Sequence, residues 1–236
     1  MNYLLQPLGD QALRIEFVEK DTTIRTICTH LTAGSLPGVV DIVPGLSSIT
    51  IFYEYPTTDY MILKEKVVGI LETMPLSERE VSKRTVLLPT LYDGHDLASL
   101  AGKHQTEVEE IIEQHSGAAY EVEMLGFLPG FPYLNGLPPS LETPRLATPR
   151  SKVPAGSVGI GGNQTGVYPV DSPGGWNLIG RTPIPLFLPD EEDSFLLQAG
   201  DQVRFQAISE KEFALWQEKV SQSAWKKEVI FKHEKD

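Results

Sequence analysis

Between Gly126 and Pro189, 64 residues hold 11 of the chain's 20 glycines and 12 of its 18 prolines. Such a share usually marks a disordered tract. Here Phe127, Phe131, Tyr133, Tyr168, Trp176 and Phe187 stand among the turn residues, whereas disordered segments are poor in aromatics. A rigid, loop-rich β structure accounts for both facts. Glycine supplies the turns, and proline fixes φ wherever no ladder donor is required. Short β segments at Ser157–Ile160, Gly166–Pro169, Trp176–Gly180, Pro185–Leu188, Phe195–Leu197 and Gln202–Ile208, with turns between them, predict a barrel or closed sandwich.

The same segment concentrates positive charge. Its six charged residues, Glu142, Arg145, Arg150, Lys152, Asp171 and Arg181, sum to +2 in a chain of net charge −12. A cationic, aromatic, stiff region on an acidic protein points to a small anionic ligand. Pairing of these arginines with carboxylates elsewhere in the fold is the competing account. The overall acidity argues against nucleic acid and anionic membrane surfaces as partners. No stretch approaches the ~20 apolar residues of a membrane span, and the N-terminus lacks a secretory pattern. These features lead us to expect a cytoplasmic protein. Cys28, the only cysteine, cannot pair within the chain, which excludes a disulfide scaffold.

The first half reads as mixed α and β. Tyr3–Leu8 and Ala12–Phe17 predict a strand pair around Gly9-Asp10, and Thr22–Ala33 has helical spacing. Val39–Val43 and Ser48–Tyr55 predict two strands, Asp59–Met74 a helix, and Arg84–Leu91 a returning strand. This order suits an α+β sandwich with two helices on one face. Helices are then expected at His95–Lys103 and from Thr106 to His115, the second opened by a Thr106/Glu109 capping box. A last helix starts at a Ser209/Glu212 box. We place the boundary between residues 83 and 84, giving an N-terminal domain over 1–83 and a barrel domain with flanking helices over 84–236.

Motifs with chemical content are few. Gly159-Ile160-Gly161-Gly162 is glycine-rich but opens no helix, so it is a weak nucleotide fingerprint. Ala155-Gly156-Ser157-Val158-Gly159 resembles a relaxed nucleophile elbow, yet strand-like residues follow where a helix is needed; a tight turn entering a strand explains it better. None of His30, His95, His104, His115 and His233 has metal-binding spacing, so no metal site is expected. His115 reads as a helix-end residue interacting with the dipole, with a general-base role as the alternative. Thr-Pro-Arg occurs twice, ending at Arg145 and Arg150. Proline before each arginine would preorganise two guanidinium forks for carboxylate or phosphate, and two solvated surface arginines fit equally. Trp176, after Ser172-Pro173-Gly174-Gly175, could wall a pocket, anchor a partner or sit in the core.

Taken in order, several segments resemble one family. They are Gly126–Leu134, Thr148-Pro149-Arg150, Val153–Ile160, Tyr168-Pro169, Ser172–Trp176 and Gly180-Arg181-Thr182, with Pro7–Asp10, Gly94–Leu97 and Gly200–Phe205 at greater distance. This set resembles the KipI/PxpB family, the PxpB component of the bacterial ATP-dependent 5-oxoprolinase, formerly called allophanate hydrolase subunit 1. Where the family usually has a Gly-Pro-Asp-Leu-like stretch, this chain has Gly94-His95-Asp96-Leu97, which leaves His95 without a shared role.

The resemblance implies an N-terminal α+β sandwich domain followed by a C-terminal cyclophilin-like β-barrel. It implies a KipA/PxpC-type and a PxpA-type partner subunit, and cleavage of 5-oxoproline to glutamate with ATP used by the complex. No cofactor is then expected on this chain alone. In Bacillus-type members it implies a second role, inhibition of the sporulation histidine kinase KinA, which would make a sensor kinase a partner. Combining both lines, Arg145, Arg150, Ser157, Gly174, Gly175 and Arg181 are expected to bind substrate. Gly174 and Gly175 would offer oxyanion donors. Phe127, Pro129, Phe131, Tyr133, Tyr168 and Trp176 are expected to line a cleft facing the partner.

Overall fold

The computed structural model describes residues 2–18, 24–74, 84–191, 193–222 and 225–232. The chain divides into two compact units, 1–81 and 82–236.

In the first unit, strands β1 (Tyr3–Pro7) and β2 (Ala12–Phe17) pair as a hairpin. Helix α1 (Ile24–Ala33), strands β3 (Val39–Pro44) and β4 (Ser48–Tyr53) and helix α2 (Tyr60–Thr73) follow. The first two positions of the expected 22–33 helix lie outside the described residues. The antiparallel sheet has the order β1-β2-β4-β3. Period-two alternation sends Leu13, Ile15 and Phe17 of β2 and Ile49, Ile51 and Tyr53 of β4 to one face. There they bury Ile27 and Leu31 of α1 and Leu63, Val67 and Leu71 of α2. Asp59 starts α2 by accepting the Ile62 N–H at 2.9 Å.

The next strand, β5 (Arg84–Thr90), does not close this sandwich as its sequence order suggests; it lies in the sheet of the second unit. That unit continues with α3 (Leu97–His104), α4 (Val108–Gly117), β6 (Tyr120–Leu125), β7 (Pro132–Asn135), β8 (Arg150–Val153), β9 (Ser157–Gly161) and β10 (Gln164–Val167). It ends with β11 (Ser172–Gly174), β12 (Asn177–Arg181), β13 (Gln202–Ala207), α5 (Glu210–Val220), α6 (Lys226–Val229) and β14 (Ile230–Lys232). Eight strands run in the order β12-β9-β10-β7-β6-β13-β5-β14, all neighbours antiparallel except β5 and β13. The sheet curls until Leu91, just after β5, meets Arg181 of β12 through N–H···O bonds of 2.9 and 2.8 Å. The following residues stay on β12, Gly94 and Asp96 donating to Ile179 and Leu178. The core inside the curl includes Val86, Leu88, Leu134, Val158, Ile160, Val203 and Phe205, covered by Leu100 of α3 and Ile111 of α4. Strands β8 and β11 form a separate ribbon.

Several expectations need correction. Pro185–Leu188 and Phe195–Leu197 are not strands; a single bridge joins Phe187 to Phe195. The α4 start lies one residue later than the Thr106 box requires: Glu107 is the N-cap, and the Thr106 hydroxyl donates to the Glu110 carboxylate. The Ser209/Glu212 box forms with both bonds, Ser209 N–H to the Glu212 carboxylate at 2.8 Å and Glu212 N–H to Ser209 Oγ at 3.3 Å. Among the described residues no helix is long and apolar enough to cross a membrane.

Candidate functional site

The Thr143–Arg150 loop lies across the β9–β12 end of the sheet, fastened at several points. Thr143 and Gly162 exchange backbone hydrogen bonds of 3.0 and 2.8 Å. The buried Asn177 amide donates to Pro144 O at 3.0 Å and Ile160 O at 3.2 Å. Leu146 N–H donates to Gly175 O at 2.7 Å. Arg145 is therefore anchored on both sides, while its side chain is exposed with the guanidinium 5.6 Å from the Trp176 ring centroid. Among the described residues Arg145 has no carboxylate partner.

Trp176 itself is buried. It sits edge-on to Phe131 (5.4 Å) and Tyr133 (6.0 Å), and Phe131 in turn contacts Tyr168 and Phe127. Its floor is made of glycine. A Cβ on Gly161 would lie 2.7 Å from the indole, and one on Gly166 would lie 3.0 Å from it and 2.7 Å from Pro132 O. Gly161 on β9 and Gly166 on β10 thus let an indole lie flat on two strands, a packing reason for glycine at position 161. Gly161→Ala should cost about 1–3 kcal/mol through overpacking, whereas Gly102→Ala, in open space on α3, should be neutral or slightly stabilising. Chemical denaturation followed by tryptophan fluorescence compares them; equal stability of the two variants would reject the floor.

The other two arginines are already occupied. Arg150, at the start of β8, donates from Nη2 to Asp96 Oδ1 at 2.6 Å and from Nη1 to Trp176 O at 3.3 Å. Asp96 is buried, and its Oδ2 accepts the Leu178 N–H at 2.7 Å. The carboxylate caps no helix N–H although Asp96 is the α3 N-cap. Arg181 pairs with Asp93 (Nη2–Oδ2 2.8 Å, Nε–Oδ2 3.0 Å) and its guanidinium lies 4.6 Å from the Phe213 centroid. Both arginines thus hold the 93–96 segment against the sheet.

The remaining expected residues separate by burial. Ser157 is buried and opens β9 straight after the Ala155-Gly156 turn, its N–H on Pro154 O at 3.2 Å. A strand stands where a nucleophile elbow needs a helix, so the tight-turn explanation holds. Gly174 is buried in β11, where a Cβ would overlap the Tyr168 hydroxyl. Gly175 is half-buried. Phe131, Tyr168 and Trp176 are buried in a cluster with Val153 and Leu178. Tyr133 is half-buried, and Phe127 and Pro129 are exposed. Burial raises the Tyr168 phenol above its usual range, with the Trp176 backbone hydrogen bond and Arg145 working the other way.

His115 departs furthest from expectation. It is wholly buried near the end of α4, with Nδ1 2.8 Å from the Tyr92 hydroxyl and Nε2 2.9 Å from Thr165 Oγ1. Thr165 already donates to Gly159 O at 3.0 Å. Its oxygen therefore accepts, Nε2 carries the proton, and Tyr92 donates to Nδ1. Burial lowers the imidazole to about 3, so it is neutral and serves no helix dipole. Asp93, Asn177, Tyr92 and Thr165, which organise these contacts, carry no local sequence signal, and Asp96 is marked only by the Gly94–Leu97 stretch. His233 lies outside the described residues. Among the described residues no cluster of His, Cys, Asp or Glu is placed to hold a metal ion.

Comparison with known proteins gives a consistent result. Residues 3–197 match the family described as carboxyltransferase domain, subdomain C and D. The chain is 38% identical over 239 aligned positions to a Bacillus subtilis (strain 168) protein named as the B subunit of 5-oxoprolinase, covering 92% of this chain and 98% of that one. The crystal structure of TTHA0988 superimposes with a TM-score of 0.74 and 33% identity, covering 85% of this chain; the chain spans 40% of that longer one. The urea amidolyase of K. lactis has the same fold (TM-score 0.78, 19% identity, 92% of this chain), and the chain spans 15% of its length.

Proposed function

The chain belongs to the KipI/PxpB family, whose relatives are named as the B subunit of 5-oxoprolinase, and from that premise we propose that it is the PxpB component of an ATP-dependent 5-oxoprolinase. It works with KipA/PxpC-type and PxpA-type subunits to open 5-oxoproline to glutamate. The curled sheet serves as a cyclophilin-like barrel, and the chain alone holds no cofactor. The observation that carries this reading is the match over 98% of the Bacillus protein. The site supports it chemically. 5-Oxoproline and any phosphorylated intermediate are anions. Arg145 offers a guanidinium with no carboxylate partner among the described residues, fixed at its backbone and backed by the Trp176 face.

The test is 5-oxoproline-dependent release of ADP and glutamate. The chain alone, the three-subunit set, and the set lacking this chain are compared. Activity in the full set only is the expected result; activity without this chain overturns the reading. In the full set, Arg145→Ala should lower kcat/KM for 5-oxoproline by roughly tenfold to a hundredfold, the loss of one charge-assisted contact. Thermal stability should be unchanged. Unaltered kcat/KM would remove Arg145 from the anion site.

A further inference from the structure

Arg145 is held at its base rather than at its head. Among the described residues no carboxylate meets its guanidinium, whereas Arg150 and Arg181 each end on one. Its two main-chain neighbours are both tied down. Pro144 O accepts from the Asn177 amide at 3.0 Å, and Leu146 N–H donates to Gly175 O at 2.7 Å. The Trp176 ring centroid lies 5.6 Å from the guanidinium carbon. Three consecutive residues, 175 to 177, therefore supply a clamp before Arg145, a clamp after it and a ring against its side chain.

Within this trio the side chain of Asn177 makes the first clamp. It is 1% exposed in β12, next to the buried Leu178 and Ile179. An amide in that setting costs free energy unless its hydrogens are bonded. One donates to Ile160 O at 3.2 Å, on the neighbouring strand β9; the other crosses to Pro144 O on the loop. The first bond joins two strands that the ladder already pairs. The second reaches a residue with no N–H of its own, so the carbonyl is the one backbone group through which position 144 can be hydrogen-bonded. That oxygen belongs to the peptide unit ending on the Arg145 nitrogen, and holding it fixes the plane of that peptide. Thr143 is set one step earlier, by its exchange with Gly162 and by His104, whose Nε2 lies 2.7 Å from the threonine hydroxyl.

We infer that Asn177 is a positioning residue for Arg145: by holding the Pro144–Arg145 peptide against the sheet, it aims the guanidinium at an anionic group of the substrate. The inference rests on the reading of Arg145 given above. An arginine on a loose loop loses that freedom when it binds, and one already mounted loses less. Small errors in placement also carry large rate penalties, even when they arise away from the chemistry.

A double-mutant cycle in the three-subunit set tests this, read as kcat/KM for 5-oxoproline beside the melting temperature of this chain. Asn177→Ala should lower kcat/KM roughly threefold to thirtyfold, because the guanidinium remains but is no longer aimed. In the Arg145→Ala background the same change should alter kcat/KM by less than about twofold. The melting temperature should fall equally in both backgrounds, since orphaning the Pro144 carbonyl does not involve the guanidinium. Asn177→Ser, whose single hydroxyl cannot make both bonds, repeats the cycle if the alanine protein does not fold. Unchanged kcat/KM on substitution of Asn177, or the same loss with and without Arg145, overturns the inference and leaves Arg145 in the anion site. No effect of Arg145→Ala alone overturns the anion-site reading, and this inference with it.

Discussion

Replacing Asp96 by alanine should destabilise the second unit by about 3–5 kcal/mol, while the same change at Asp93 should cost about 0–1 kcal/mol. Both carboxylates pair with an arginine, at 2.6 and 2.8 Å, so distance does not distinguish them. Burial does. The Asp96–Arg150 side chains are 12% and 24% exposed; those of Asp93 and Arg181 are 37% and 50%. Removing one partner of a buried pair leaves an uncompensated charge, whereas exposed pairs contribute little. Asp96→Ala also orphans the buried Leu178 N–H, a further desolvation penalty. Because water still reaches part of Arg150, the lower half of the range is expected. Asp96→Asn keeps an acceptor for Leu178 and should fall between the two. All three tryptophans, 176, 216 and 225, lie in the second unit, so fluorescence-monitored urea unfolding reports that unit alone. Equal losses at positions 93 and 96 would reject the distinction.

The same pair shows what a sequence reading reaches and where it stops. Regular periodicity makes the first unit legible: α2 carries its apolar face at helical spacing, and β2 and β4 alternate cleanly because only one face is covered. Strands β9 and β10 are buried at every position and made largely of glycine and small residues, so period two vanishes from them. Strands β7, β8 and β11 are three or four residues long, too short to form a pattern. Charge excess located the arginines of the site but not their fates. Arg150 meets Asp96 across 54 positions, and Arg181 meets Asp93 across 88. Long-range pairing of this kind depends on how the sheet curls, which no local window contains. The glycines of the 159–162 run are legible as unusual, yet the reason for Gly161 is the Trp176 indole laid on it, while Gly162 turns at φ +71° in open space.

Burial of His115 makes the stability of the second unit sensitive to mild acid in a definite window. Unfolded, the imidazole binds its proton near the ordinary 6.5; folded, burial lowers it to about 3. The unfolded chain therefore holds more protons between these values, and stability rises with pH across them. It is complete above pH 6.5, declines as pH falls toward 3, and loses nothing further below that, where both states are protonated. At about 1.4 kcal/mol for each tenfold, the whole window corresponds to roughly 5 kcal/mol, of which about 2 is lost by pH ~5. Protonation would also replace the Nδ1 acceptor that Tyr92 uses with a donor facing a donor. The facing titratable groups, Tyr92 and Tyr120, are pushed above their usual range by burial and stay neutral throughout. His115→Phe fills the site beside Tyr120 and Phe205, whose rings lie 5.3 and 4.6 Å away. It should cost about 1–3 kcal/mol at pH ~7, because Tyr92 and Thr165 lose their partner. Between about pH 6.5 and 5, before most carboxylates titrate, its stability should be nearly flat while that of the unaltered chain falls. Parallel curves for the two proteins over that interval, measured by urea unfolding at fixed ionic strength, would rule His115 out as the source.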